Sequence, residues 1–284
     1  MRSWHNREIR VAAIALKIRA ANVESCPQKS YEYGLALARI DDAASPQVRI
    51  ALTEALGLRA EPTAMTVVPG GAGDLAGIRQ GDRIVAVNGV RWPTAPGLDA
   101  LAHKAFWDAL KSGIQSAVLQ VDAERADQPV QFQLTGKLSC TASVFLINKR
   151  SVNATTFGSR IEIHSALDAL LQDDSELAFV IGHELAHVIL EHTGPGKEAQ
   201  LKNKVVRRRM ETEADQLGIL LMAQAGFDSM AAVRANSKMY QTNGPISRLL
   251  GWHGAYMSPN ERNAFLTKRA NEVRLQLESE AGKR

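Results

Sequence analysis

Gly182-His183-Glu184-Leu185-Ala186-His187 is an H-E-x-x-H motif inside an apolar run from Leu177 to Leu190. The run has helical character, and on a helix residues four apart share a face. His183 and His187 can therefore reach one metal ion. Glu184 sits beside that ion, able to handle a proton. The pattern suits a zinc-dependent hydrolase.

Two histidines leave such a site incomplete, because catalytic zinc takes three protein ligands and keeps a fourth position for water. A second helix downstream is expected to supply the third. Gly194-Pro195-Gly196 breaks the first helix. The pattern is helical again from about Val205 to Ala225, with Met210, Leu217, Leu220 and Leu221 as its apolar set. Glu211 and Asp215 are on one face of that helix. Glu211 can bind zinc while Asp215 accepts the ring N–H of a ligating histidine and fixes its tautomer. Glu213 is the competing third ligand, but it points about 200° round the helix from Glu211, so only one can face the metal. Glu211 is preferred for its pairing with Asp215. His192 reads as a helix-end histidine beside the dipole rather than as a fourth ligand. In this scheme zinc lowers the pKa of its bound water and polarises the scissile carbonyl. Glu184 takes the water proton as general base and delivers it to the leaving amine.

Further motifs surround these residues. Val152-Asn153-Ala154, Arg160-Ile161-Glu162-Ile163, Glu176-Leu177-Ala178, and Glu211 to Asp215 followed by Gly218 make roughly residues 140 to 270 resemble a known family. It is the zinc metallopeptidases of the HtpX and CaaX prenyl protease type, in their soluble, exported bacterial branch. The resemblance implies an α+β fold with a gluzincin-like domain, built from an active-site helix and a short sheet. It implies one Zn2+ per chain, with Glu211 as the third ligand. It also implies an edge strand that pairs with extended substrate, here about Arg160 to His164. Asn153, Arg160, Ile161, Glu162 and Ile163 would then be the substrate-strand residues, and an exposed edge is suited to adding a peptide strand. Family members carry a histidine-proline pair six and five residues before an arginine. Counting back from Arg262 gives Tyr256 and Met257 instead. Tyr256 is a candidate transition-state donor, His253 is its rival, and a packing or loop-capping Tyr256 is the third reading. Arg262 is expected to orient this segment or to stabilise the oxyanion.

Upstream, Val67-Val68-Pro69-Gly70-Gly71-Ala72, Ala76-Gly77-Ile78 and the stretch from Gly81 to Gly89 resemble the PDZ domain of bacterial proteases. Ile84, Val85 and Val87 form a β-rich run closed by the Asn88-Gly89 turn signal. Phe106 to Leu110 suggests a helix. Val118 to Val121 and Val130 to Leu134 suggest strands, the latter with half-buried alternation. The resemblance implies a separate β-rich domain that binds a peptide C-terminus by adding a strand. Its binding loop is expected near Tyr33-Gly34-Leu35 or near Gly57-Leu58. A module that only packs on the protease is the alternative. The division expected is residues 1–57 as a helical segment packing on the other domains, 58–138 as the PDZ-like domain and 139–284 as the metallopeptidase domain.

A chain of 284 residues with 45% hydrophobic residues is long enough for two globular domains. The net charge of +4 is mild. Lys202, Lys204 and Arg207-Arg208-Arg209 therefore read as a solvated face, and no nucleic-acid partner is expected. No uncharged apolar run approaches the roughly 18 residues of a membrane span. Residues 9 to 23 read as an amphipathic helix packing on a domain, with a membrane-surface helix as the alternative. Lys17 and Arg19 interrupt any signal-peptide core. The periplasmic or otherwise exported location that the resemblance implies would therefore require a leader outside these residues. Export in turn favours a Cys26–Cys140 disulfide, contributing about 4 kcal/mol in the chain-entropy model, over two buried thiols. The expected function is a zinc endopeptidase acting on extended or misfolded envelope proteins, recruited or gated by the PDZ-like module. A latent peptidase, or a binding or chaperone protein that keeps the metal site, is the alternative.

Overall fold

The computed structural model describes residues 1–43, 45–93, 100–242 and 257–282. It divides into two compact units, Met1–Leu16 with Lys29–Ser139, and Lys17–Gln28 with Cys140–Arg284. The first helix, α1 (Arg2–Ala21), contributes buried Val11, Ile14 and Ala15 to one unit and buried Ile18 to the other.

The first unit holds β1 (Lys29–Glu32), β2 (Leu35–Ala38), α2 (Pro46–Leu56), β3 (Thr63–Val67), α3 (Ala72–Leu75), β4 (Arg83–Val87), β5 (Val90–Arg91), α4 (Ala100–Gly113), β6 (Val118–Arg125), β7 (Gln128–Thr135) and most of β8 (Lys137–Cys140). Its main sheet runs β2-β3-β4-β6-β7 with β5 on β4, while β1 and β8 pair separately. Strand β2 lies within the stretch expected to be helical. Asn88 and Gly89, at φ 48° and 79°, form the two-residue turn that folds Val90 back onto Val87, the geometry an Asn-Gly pair favours. In β7 Phe132 and Leu134 are buried while Gln131 and Gln133 are exposed, so the alternation sets one face of the sheet on the core. That core gathers Ile84, Val87, Leu119, Val121 and Leu134 around Phe106 of α4. Asp82 is also buried, and Arg125 holds both carboxylate oxygens at 2.8 and 2.6 Å, which offsets the cost of burying the charge.

The second unit holds β9 (Ser143–Ile147), β10 (Ala154–Phe157), β11 (Arg160–His164), α5 (Ser165–Leu170), α6 (Asp174–Ile189), α7 (Glu198–Lys202), α8 (Lys204–Gln224), α9 (Ala231–Thr242) and α10 (Pro259–Ala281). The sheet order β10-β11-β9 corrects one expectation. Arg160, Ile161, Glu162 and Ile163 lie on the central strand, antiparallel to β10 and parallel to β9. Both edges of that strand's backbone are occupied, so no peptide can add there. The cause is a two-residue turn at Gly158-Ser159, with Gly158 at φ 56°, which pairs Phe157 with Arg160 and leaves β10 at the edge.

Cys26 and Cys140 form a disulfide with Cα atoms 5.4 Å apart. Beside it, Arg19 Nε donates to the Cys140 carbonyl at 3.0 Å, and Asn22 Nδ2 donates to the Leu221 carbonyl at 2.9 Å. Residues 17–28 are thereby tied into the second unit. Among the described residues no helix is long and apolar enough to cross a membrane.

Helix α6 is buried continuously from Glu176 to His187, with the polar Glu176, His183, Glu184 and His187 among the buried residues. Asp173 caps its start by accepting from the Ser175 and Glu176 N–H groups. Its end closes in a Schellman pattern: Glu191 N–H reaches the Val188 carbonyl at 3.1 Å and His192 N–H the His187 carbonyl at 3.0 Å, with Glu191 in the left-handed region at φ 51°. Helices α6 and α8 touch through paired glycines. A Cβ on Gly182 would lie 2.7 Å from the Gly218 carbonyl oxygen, and one on Gly218 would lie 2.8 Å from the His183 nitrogen. Gly218→Ala is therefore expected to push the helices apart and destabilise this unit by about 1–3 kcal/mol, the usual cost of overpacking. Thermal unfolding of the purified variant measures it, and an unchanged melting temperature would contradict so tight a contact.

Candidate metal centre

Helix α6 presents His183 and His187, and α8 presents Glu211. One ligand atom from each lies within 4.8 Å of the other two. The two Nε2 atoms are 3.2 Å apart. Glu211 Oε2 is 3.4 Å from His183 Nε2 and 3.9 Å from His187 Nε2. Both rings turn their Nδ1 atoms outward to hydrogen-bond partners. His183 Nδ1 meets Asp215 Oδ1 at 2.9 Å, and His187 Nδ1 meets His192 Nδ1 at 3.0 Å. With the N–H groups directed outward, two Nε2 lone pairs face each other beside a carboxylate. Only a proton or a cation between them relieves that arrangement. Two imidazoles and one carboxylate are a donor set suited to catalytic zinc.

Asp215 is buried and takes more than the histidine. Arg262 Nε donates to its Oδ2 at 2.8 Å and Arg262 Nη2 to its Oδ1 at 2.7 Å, a bidentate pair. Arg262 lies in the first turn of α10, whose start is fixed by the reciprocal capping of Ser258 and Glu261. Burial pushes the Asp215 carboxyl up, but Arg262 and His183 outweigh it and hold the group well below the usual carboxylate range. Burial likewise disfavours a charged His183, yet its hydrogen bonds to Asp215 and Glu211 carry it up to about 10 in the metal-free protein. Burial and the neighbouring His183 push His187 down to about 3. The ligand cluster therefore keeps one imidazole proton at neutral pH.

Glu184 lies against β10. Thr156 Oγ1 is 2.7 Å from Glu184 Oε2 and donates to it. Burial raises the Glu184 pKa, opposed by His183 and by the Thr156 hydroxyl. The sequence reading did not single out Thr156, and only the pairing of β10 with β11 brings it to α6.

The remaining expected residues are distributed as follows. Glu213, the rival third ligand, points away from the cluster and places its carboxylate 3.2 Å from His192 Nε2. His192 follows the end of α6, is buried, and meets His187 on the ring nitrogen that faces away from the cluster. Arg262 is engaged by Asp215. Glu162 pairs with Arg160 at 2.9 Å and with Lys149 at 3.4 Å. Asn153 precedes β10, and its carbonyl accepts from His164 N–H at 3.1 Å. Tyr256 and His253 lie outside the described residues.

Residues 136–204 match the profile of Peptidase family M48, and residues 63–94 match that of a PDZ domain. The first match ends before Glu211, which the fold supplies. A Vibrio cholerae serotype O1 protein, whose name proposes a beta-barrel assembly-enhancing protease, is 38% identical over 104 residues, covering 35% of this chain and 20% of its own. The mitochondrial metalloendopeptidase OMA1 of Arabidopsis thaliana is 28% identical over 127 residues, covering 36% of this chain and 26% of its own. The beta-barrel assembly-enhancing protease of Escherichia coli K12 is 26% identical over 168 residues, covering 46% of this chain and 34% of its own. The chain thus spans at most about a third of the length of these relatives.

Metal must displace the proton that His183 holds. That proton is stably bound below the raised pKa of about 10 and is lost only as pH rises through it. Zinc titrated into the metal-free protein is therefore expected to release about one proton, with affinity rising about tenfold per pH unit between roughly pH 7 and pH 9. Calorimetry in buffers of different ionisation enthalpy measures the release, and a pH-independent affinity would contradict it. With the profile match on α6 and the convergent pair of helices beside it, the C-terminal unit is similar to Peptidase family M48 over residues 136–204 and carries the two-histidine, one-glutamate donor set that suits a zinc metalloendopeptidase, while residues 63–94 are similar to a PDZ domain.

Proposed function

We propose that this protein is an exported endopeptidase that hydrolyses peptide bonds in extended or misfolded envelope proteins. The carrying observation is the convergence of His183, His187 and Glu211 with Glu184 beside them. The three ligands would hold zinc, which when bound would supply Lewis acidity toward a carbonyl and toward water. Glu184 accepts the proton of the attacking water and returns it to the leaving amine. Its burial raises its proton affinity, which suits both halves of that task. The Thr156 hydroxyl holds the carboxylate in place. Arg262 and Asp215 fix the His183 ring.

The extended substrate is assigned to the edge of β10, Ala154–Phe157, where a peptide can add as a further strand one side chain away from Glu184. The Cys26–Cys140 disulfide supports an oxidising compartment such as the periplasm, and the beta-barrel assembly in the names of the bacterial relatives supports an envelope substrate. The finer HtpX and CaaX placement rests on the motifs around β10, β11 and α8. In the first unit, β2 stands at the end of the sheet order, directly after Gly34 at φ 62°. This favours Tyr33-Gly34-Leu35 over Gly57-Leu58 as the loop that receives a peptide C-terminus, so that the PDZ domain recruits or gates substrate.

Cleavage of casein by the zinc-loaded protein is expected, and Glu184→Gln should lower it by about 10²–10⁴-fold while zinc stays bound. Chelation should abolish cleavage and zinc should restore it. Zinc retained with no Glu184-dependent cleavage would leave a binding or chaperone role instead.

A further inference from the structure

His183 and His187 are supported differently. His183 hands its outer N–H straight to a carboxylate. His187 Nδ1 meets another imidazole, His192 Nδ1, at 3.0 Å. Two facing ring nitrogens make a hydrogen bond only when one bears hydrogen and the other a lone pair. If His187 is to offer its Nε2 lone pair to a metal, its hydrogen must sit on Nδ1, and His192 Nδ1 must accept it. His192 then carries its own hydrogen on Nε2, and Glu213 Oε2 stands 3.2 Å from that atom. Glu213 is further bounded by Arg209, 3.7 Å from its other oxygen. Each position in the series has one donor and one acceptor, and the series runs from α8 back to the metal face of α6.

The backbone builds this series deliberately. His192 follows α6, and a chain that simply continued would carry its ring away from His187. The Schellman closure, with Glu191 at φ 51°, turns the chain so that His192 N–H bonds the His187 carbonyl. That bond places the two rings 5.1 Å apart, centre to centre. His192 cannot be a ligand of the same ion, because it contacts the nitrogen of His187 that faces away from the cluster.

We propose that His192 is a positioning residue for the metal centre, fixing the tautomer and ring plane of His187, and that Glu213 in turn fixes His192. The inference deepens the reading of the zinc site and rests on it. It also gives Glu213 a role that excludes it from the ligand set. A partner of this kind contributes about 10–100-fold to metal affinity.

The test compares wild type with His192→Ala, His192→Gln, Glu213→Ala and Glu184→Gln. The readouts are Zn2+ dissociation constants from chelator competition, visible spectra of the Co2+ forms and melting of the metal-free proteins. His192→Ala is expected to weaken zinc binding by about 10–100-fold and to alter the Co2+ bands. His192→Gln, whose side-chain carbonyl can still accept the His187 N–H, should recover part of the affinity. Glu213→Ala should show a smaller loss in the same direction, and because Glu213 is half exposed it keeps the test open should His192→Ala fail to fold. If His192→Ala and Glu213→Ala bind zinc as tightly as wild type with unchanged Co2+ spectra, the relay is wrong although the zinc site stands. A wild-type chain that binds no zinc overturns both. Glu184→Gln should retain wild-type zinc affinity, so that lost chemistry and lost metal are read separately.

Discussion

The backbone contact between Gly182 and Gly218 is the constraint on which the second unit depends. Helices ordinarily pack with axes 8–10 Å apart, a distance set by the side chains between them. Here neither helix has a side chain at the crossing, and a Cβ on Gly218 would reach within 2.8 Å of the His183 nitrogen. Glu211, Asp215 and Gly218 fall on one stripe of α8, at the i, i+4, i+7 spacing of a single helix face. The residues that let the helices touch and the residues that reach the metal site are thus the same stripe. A wider crossing would move both carboxylates away from His183 at once.

Tight packing has an electrostatic consequence. His183, Glu184, Asp215 and Arg262 are all largely out of water, where an unpaired charge costs several kcal/mol. Each is paired. Asp215 accepts from His183 on one side and from both arms of Arg262 on the other. Removing one partner of such a buried pair typically costs about 3–5 kcal/mol, because the other charge stays behind. The Asp215–Arg262 pair therefore does more than stabilise α10 against α8. It fixes which nitrogen of His183 carries hydrogen, and so which lone pair faces the cluster.

What the sequence revealed follows from how local each signal is. The H-E-x-x-H spacing and the Glu211–Asp215 spacing are helix periodicities, and they transfer to the structure without change. Asp215 was readable as a histidine partner for the same reason. The edge strand was not, because strand order is settled by which segments meet, and Gly158-Ser159 was not weighed as the hairpin turn it is. Strand β2 escaped notice because Leu35-Ala36-Leu37-Ala38 has no polar alternation and no β-branched residue. Thr156, and the contact of His192 with His187, went unread for a related reason. Their significance comes from a strand laid against α6 and from a reversal after α6, and neither leaves a periodic mark in the chain.

The same distinction between chain order and structural membership governs how the two units can be separated. The entire segment Lys29–Ser139 lies between the two half-cystines, so the PDZ domain is inserted into a loop closed by Cys26 and Cys140. Residues 17–28 belong with the second unit, where Ile18 is buried, Asn22 bonds the Leu221 carbonyl of α8 and Arg19 bonds the Cys140 carbonyl. A truncation that begins at residue 139 would therefore remove more than the PDZ domain. It would break a crosslink over a span of 114 residues, of the size that contributes about 4–5 kcal/mol in the chain-entropy model, and strip a buried segment from the helix that carries Glu211. Any change in activity after such a cut would report on the catalytic unit's own integrity. Removing only the insert, with residues 17–28 joined to Cys140 by a short linker, leaves the buried segment with the unit that holds the metal cluster.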